Sequence, residues 1–257
     1  MTMLRAERLT VRLRGRPIVD DASITLRPGE LTALVGPNGA GKTTLMRALA
    51  GLLPASDGRV MLKDRPLADF TPRERARSIA YLPQGHFFHW PLDVASIVAL
   101  GRHPHADPFS PPTGTDRAAV AHALAAAQIE DLADRIVTSL SGGERARVAL
   151  ARVLATEAEI LFADEPTASL DPRHQLVVMG LLRGVAERGG AVLAIVHDLA
   201  LAARFASRVV IMQQGRIVAD ASPAEALSDA RLGTVFGIAA QQVNTGDAVV
   251  PLPLRPL

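Results

Sequence analysis

Residues 36–43 read Gly-Pro-Asn-Gly-Ala-Gly-Lys-Thr, the pattern G-x-x-x-x-G-K-[ST]. They follow an apolar run at 31–35 and open a helix-forming stretch at 42–52. Glycines let backbone N–H groups turn inward around phosphate oxygens, and a helix N-terminus adds partial positive charge. In that setting Lys42 reaches β- and γ-phosphates and the Thr43 hydroxyl ligates Mg²⁺. Lysine is otherwise scarce, with Lys63 the only other one. A second cluster ends the run Ile160-Leu161-Phe162-Ala163-Asp164-Glu165. Mg²⁺ takes oxygen ligands and keeps several waters, so one carboxylate near the phosphates suffices, and Asp164 fits that role. At a strand end the next side chain can turn toward the same ligand, which lets Glu165 polarise an attacking water. A third cluster is Leu140-Ser141-Gly142-Gly143-Glu144. Ser141 and Glu144 form a capping box, but two glycines in a first helical turn are poor helix formers. They make sense where something approaches the backbone closely.

These groups need a scaffold. Residues 31–35, 160–163, 191–196 and 208–212 are short aliphatic runs and read as buried strands. Helical stretches at 42–52, 116–128, 142–155, 173–188 and 198–205 lie among them. The alternation predicts an α/β fold with a mostly parallel core sheet. Val11-Arg12-Leu13 and the run from Ile18 to Leu26 alternate apolar with polar residues instead, as an N-terminal antiparallel β-subdomain would. Thr71-Pro72-Arg73-Glu74 and Ser222-Pro223-Ala224-Glu225 are helix starts. Residues 106–115 read as a loop, and 241–257 as an edge strand plus tail.

Composition is that of an ordinary globular chain: 257 residues, 48% hydrophobic, 21% charged, net charge +2. The small net charge disfavours nucleic acid as a partner. The absence of cysteine removes disulfides, thiolate zinc sites and cysteine nucleophiles. No apolar run approaches the ~20 residues that cross a bilayer, and residues 1–16 lack a signal-peptide core, so the expected location is cytoplasmic.

The order of these motifs resembles the ATP-binding cassette (ABC) family over most of the chain. The phosphate loop at 36–43 is followed by Leu82-Pro83-Gln84 at the Q-loop position and LSGGE at 140–144. Then come ILFADEP at 160–166, Ser169-Leu170-Asp171 at the D-loop position, and His197 after Ile195-Val196. The resemblance implies a single P-loop NTPase domain over 1–257, with a helical subdomain at about 85–158 inserted in the core and a C-terminal tail at 240–257. It also implies a head-to-tail homodimer sandwiching two ATP molecules, with Mg²⁺. Each ATP would meet Gly36, Pro37, Asn38, Gly39, Ala40, Gly41, Lys42, Thr43 and Thr44 of one copy and Ser141, Gly142 and Gly143 of the other. Lys42, Gln84, Glu165 and His197 would be catalytic, and Thr43, Gln84 and Asp164 would hold the metal. Asp171 would communicate across the dimer. Family members stack an aromatic on adenine near the N-terminus. Leu13 stands there instead, and Arg12 or Arg16 are alternative stacking groups.

The load is read from aromatics. Tyr81, Phe87, Phe88 and Trp90 cluster around Gln84, where the family receives a helix of its membrane-spanning permease. Tyr81 is expected to be buried, and some of Phe87, Phe88 and Trp90 to line the docking surface. Val98-Ala99-Leu100-Gly101-Arg102-His103-Pro104-His105 is similar to ATPases of importers for iron chelates, haem and cobalamin. The implied protein is peripheral on the cytoplasmic face of the cell membrane, with an external binding protein as an indirect partner. His86, His89, His103 and His105 read as solvated loop residues and not as a metal site. The other readings are a soluble ABC ATPase acting on ribosomes or DNA, an importer ATPase for another cargo, and a P-loop binding or kinase module. The last has no use for LSGGE.

Overall fold

The computed structural model describes residues 3–85, 88–107 and 110–257. In chain order the main elements are β1 (Leu4–Leu13), β2 (Arg16–Leu26), β3 (Leu31–Val35), α1 (Lys42–Leu49), β4 (Asp57–Leu62), β5 (Arg65–Pro66), α2 (Pro72–Ser78), β6 (Ile79–Leu82) and α3 (Val94–Ala99). There follow α4 (Gly114–Ala126), α5 (Gly142–Leu154), β7 (Ile160–Asp164), α6 (Pro172–Glu187), β8 (Ala191–Ile195), α7 (Leu199–Phe205), β9 (Arg208–Gln213), β10 (Arg216–Ala221), β11 (Ile238–Asn244) and β12 (Val249–Pro256). The chain divides into two compact units.

One unit comprises Met1–Asp69 and Leu182–Leu257. Its antiparallel sheet has the order β2-β1-β4-β5. Leu4 and Ala6, then Leu9 and Val11, are buried on β1. The change of parity is absorbed at Arg8, whose φ of +46° accompanies a register shift between Ala6 and Leu9. The bulge returns the apolar residues to the core face. In the second sheet β3 runs parallel to both β8 and β9, and β10 closes antiparallel on β9. Every residue of β3 and β8 is buried, which is why those runs read as continuous aliphatics and not as alternation.

The C-terminal segment differs from the expected edge strand and tail. β11 and β12 pair antiparallel with each other, from Ile238↔Pro256 to Asn244↔Val249. Their turn is closed by Thr245 N–H to Ala248 O (2.9 Å) and Gly246 N–H to Asn244 Oδ1 (2.8 Å), with Gly246 at φ +91°. Pro251, Pro253 and Pro256 lack ladder donors, which a strand paired on one side only tolerates.

The other unit is Phe70–Leu181. β6 and β7 pair in parallel, with Tyr81 opposite Phe162 and Leu82 opposite Ala163. α3, α4 and α5 share a core that includes Val94, Val98, Leu124, Val148 and Ala151. α4 begins at Gly114, ahead of the expected 116, because Thr113 and Asp116 cap it reciprocally. Buried Arg102 bonds Asp116 Oδ1 (3.0 Å), Ala155 O (2.8 Å) and Glu157 Oε2 (2.6 Å). His105 Nε2 lies 2.9 Å from Thr156 O. The Gly-Arg-His-Pro-His stretch thus clasps the start of α4 to the end of α5. Among the described residues no three His, Cys, Asp or Glu are grouped to hold a metal. No helix among them is long and apolar enough to cross a membrane.

Candidate functional site

The phosphate loop leaves the C-terminal end of β3 and enters α1. Gly36 and Gly41 have φ of +148° and +98°. A Cβ at Gly36 would lie 2.1 Å from Met212 O, and one at Gly41 2.5 Å from Ile18 O. Glycine is therefore required at both ends by backbone packing as well as by conformation. Gly41 is also the N-cap of α1 and brings no side-chain oxygen to it, so this helix end suits an external anion. The Gly215 N–H holds Ala40 O at 3.0 Å. Lys42 is 6% exposed, and its ammonium donates to Gly36 O (2.8 Å) and Pro37 O (3.0 Å). Asn38 and Gly39 are exposed at the tip, Ala40 is buried, and Thr43 and Thr44 are half-buried in the first turn of α1. His197 is exposed just past β8, and the next residue, Asp198, caps α7 through Ala200 N–H (2.8 Å) and Leu201 N–H (3.1 Å). Leu13, at the end of β1, is 41% exposed.

In the second unit the acidic strand end is built around β7. Asp164 is fully buried, and the Tyr81 hydroxyl donates to its Oδ2 at 2.8 Å. A buried carboxylate needs such donors. Tyr81 is half-buried, not buried as expected, with its hydroxyl turned onto this carboxylate. The next residue, Glu165, has φ +52°. A left-handed conformation at a non-glycine residue costs about 1–3 kcal/mol and concentrates at functional sites. It turns the side chain out of strand alternation, and Gln84 Nε2 donates to Glu165 Oε2 at 2.7 Å. Gln84 and Glu165, 81 positions apart in the sequence, are thus in contact.

The LSGGE segment at 140–144, the family's signature, forms the turn that opens α5. Ser141 and Glu144 cap it reciprocally: Ser141 N–H to Glu144 Oε2 is 2.7 Å, and Glu144 N–H to Ser141 Oγ is 3.3 Å. The Ser141 backbone N–H, then its hydroxyl, hold the Glu144 carboxyl below its ordinary range. Ser141 and Gly142 are exposed, and a Cβ at Gly142 would meet nothing within 4 Å. Gly143 is different. It is buried, and a Cβ there would lie 2.1 Å from Cδ2 of His174. The close approach expected at the two glycines is therefore an internal side chain at Gly143 and an outward-facing backbone at Gly142. His174 Nδ1 also lies 2.6 Å from Asp171 Oδ2, and Asp171 Oδ1 accepts the His174 N–H at 3.0 Å. The His174 backbone N–H, then its ring, hold the Asp171 carboxyl below its ordinary range. Neither Tyr81 as a partner of Asp164 nor His174 under the signature was found by motif. Only strand register and helix packing reveal them.

The aromatic cluster divides. Trp90 is 74% exposed. Phe88, a candidate for the docking surface, packs on the core of α3–α5 with the Arg152 guanidinium 6.0 Å from its ring centre. Phe87 and His86 lie outside the described residues.

Residues 19–168 match the family described as ABC transporter. The hemin import ATP-binding protein HmuV of Rhodococcus jostii is 45% identical over 255 residues, covering 98% of this chain and 86% of that protein. HmuV of Streptomyces coelicolor is 47% identical over 228 residues, covering 89% and 81%. Among solved structures, a metal-chelate type ABC transporter in an inward-facing conformation is 25% identical with a TM-score of 0.86, covering 99% of this chain and 98% of that one. Matched over most of each relative's length, the chain belongs to the ABC transporter family and is one of its ATPases.

Proposed function

We propose that the chain powers haem import through a separate membrane permease, working as a homodimer. The observation that carries this reading is the exposed, capped signature turn at Ser141–Gly142 in the same chain as the Lys42 loop. The turn faces outward, as a lid for nucleotide held by a second copy must. Haem is favoured among metal chelates by the names of the relatives, hemin import ATP-binding proteins at 45% and 47% identity.

In this reading Lys42 and the N–H groups of residues 36–44 bind the β- and γ-phosphates of ATP. Thr43, Asp164 and Gln84 supply a hydroxyl, a carboxylate and an amide oxygen, an all-oxygen set that suits Mg²⁺. When bound, Mg²⁺ neutralises charge on the phosphates. Glu165 orients the water and receives its proton, with Gln84 fixing the carboxylate. His197 holds the γ-phosphate in line. The water oxygen bonds to the γ-phosphorus as the bond to the ADP oxygen breaks, with no covalent intermediate. Ser141 and the N–H groups at Gly142 and Gly143 of the second copy bring another helix N-terminus to the γ-phosphate. The permease docks near Gln84 and the exposed Trp90, on the cytoplasmic face of the membrane. An external binding protein delivers the cargo.

A host strain lacking this chain tests the reading. Wild type restores growth on haem as the only iron source, and K42A does not. Rescue by K42A, or loss of siderophore-iron or cobalamin uptake with haem uptake intact, contradicts it.

A further inference from the structure

We infer that His174 is a positioning residue that locks the D-loop carboxylate of Asp171 to the signature turn at Gly143. The inference rests on the nucleotide sandwich proposed above and assigns the part of the chain that keeps its lid in shape.

Three observations carry it. The His174 ring lies so close over the Gly143 backbone that a methyl group there would overlap Cδ2, Cγ and Nε2, at 2.1, 2.4 and 2.5 Å. The opposite edge of the same ring meets Asp171 through Nδ1 at 2.6 Å, while Asp171 also takes the His174 N–H. The ring is mostly covered, its side chain 23% exposed, whereas the Asp171 side chain is 59% exposed. One imidazole therefore touches two segments that resemblance alone connects to the dimer partner: the D-loop and the signature. The Ser141–Glu144 capping box fixes the turn from its other side. Moving Asp171 moves the ring, and moving the ring shifts the N–H groups offered to the γ-phosphate. Catalysis by positioned donors is sensitive to such shifts, since a misplacement of about 1 Å can cost roughly a hundredfold in rate.

Two chemically separate functions of the ring can be removed one at a time. H174F keeps a flat ring against Gly143 but cannot donate to Asp171. H174A removes both contacts. G143A introduces the overlapping methyl group, and G143A/H174A removes what it would strike. The full chain is measured for kcat, for nucleotide affinity at the phosphate loop and for thermal melting. H174F is expected to lower kcat roughly tenfold, with melting temperature and nucleotide affinity unchanged, the signature of lost positioning. G143A is expected to lower kcat more than tenfold, and G143A/H174A to be no slower than H174A alone. Wild-type kcat in both H174F and H174A overturns the inference. So do losses in the double variant that equal the product of the single ones, because His174 then acts on something other than Gly143. Failure of the sandwich itself reads differently. In that case E165Q stays a monomer with ATP, while the melting temperatures of the same four proteins still report the Gly143–His174 contact.

Discussion

Gln84 donates its side-chain amide to Glu165 at 2.7 Å, joining the segment just past β6 to the residue just past β7. The two strands are parallel neighbours, so one hydrogen bond couples the segment after β6 to the carboxylate proposed to orient water.

Removing that coupling separates binding from turnover. Q84A should lower kcat about tenfold to a hundredfold, the scale of a misplaced general base, with nucleotide affinity unchanged. Steady-state ATP hydrolysis with a fluorescent-nucleotide titration checks this. Wild-type turnover contradicts the role.

Tyr81 is a support that no motif names. Y81F removes a hydroxyl that donates to the buried Asp164, and a hydrogen bond to a charged group is worth about 1.5–3 kcal/mol. The melting temperature should fall by several degrees, and more Mg²⁺ should be needed for half-maximal hydrolysis. Unchanged melting and Mg²⁺ dependence would remove Tyr81 from the site.

The clasp under α4 makes stability depend on acid. The Thr113 hydroxyl first, then its N–H and Arg102, lower the Asp116 pKa to about 2. A carboxyl with a depressed folded-state pKa stabilises above its unfolded value of about 4, and the contribution fades as pH falls toward about 2. D116N should therefore melt below wild type at neutral pH, with the gap closing between about pH 4 and pH 2. A gap that stays constant over that range contradicts the assignment.

If adenine lies against exposed Leu13, it meets apolar contact without a π-face. Base stacking on an aromatic contributes about 1–3 kcal/mol, so L13Y should tighten nucleotide binding about tenfold at unchanged kcat. Equal affinity in the two proteins would place adenine elsewhere.

Much of this was legible in residue order. The runs that become β3, β7, β8 and β9 announce themselves because buried parallel strands are apolar on both faces. Lys42, Asp164 and Ser141 stand in local patterns whose chemistry depends on neighbours within a few residues. Tyr81, His174 and Phe88 were not legible, because their partners lie 83, 31 and 64 positions away at Asp164, Gly143 and Arg152. The β11–β12 pair was missed because three prolines in β12 argue against a strand, whereas Asn-Thr-Gly-Asp at 244–247 is a turn signal that could have found it.

The central claim is that nucleotide is closed between two copies of the chain, loop against signature turn. Its most direct test is the solution mass of E165Q by light scattering with saturating ATP and Mg²⁺. The account predicts the mass of two chains, falling to one when S141R is added to block the lid. A mass of one chain for E165Q, or of two chains that S141R leaves unchanged, would contradict it.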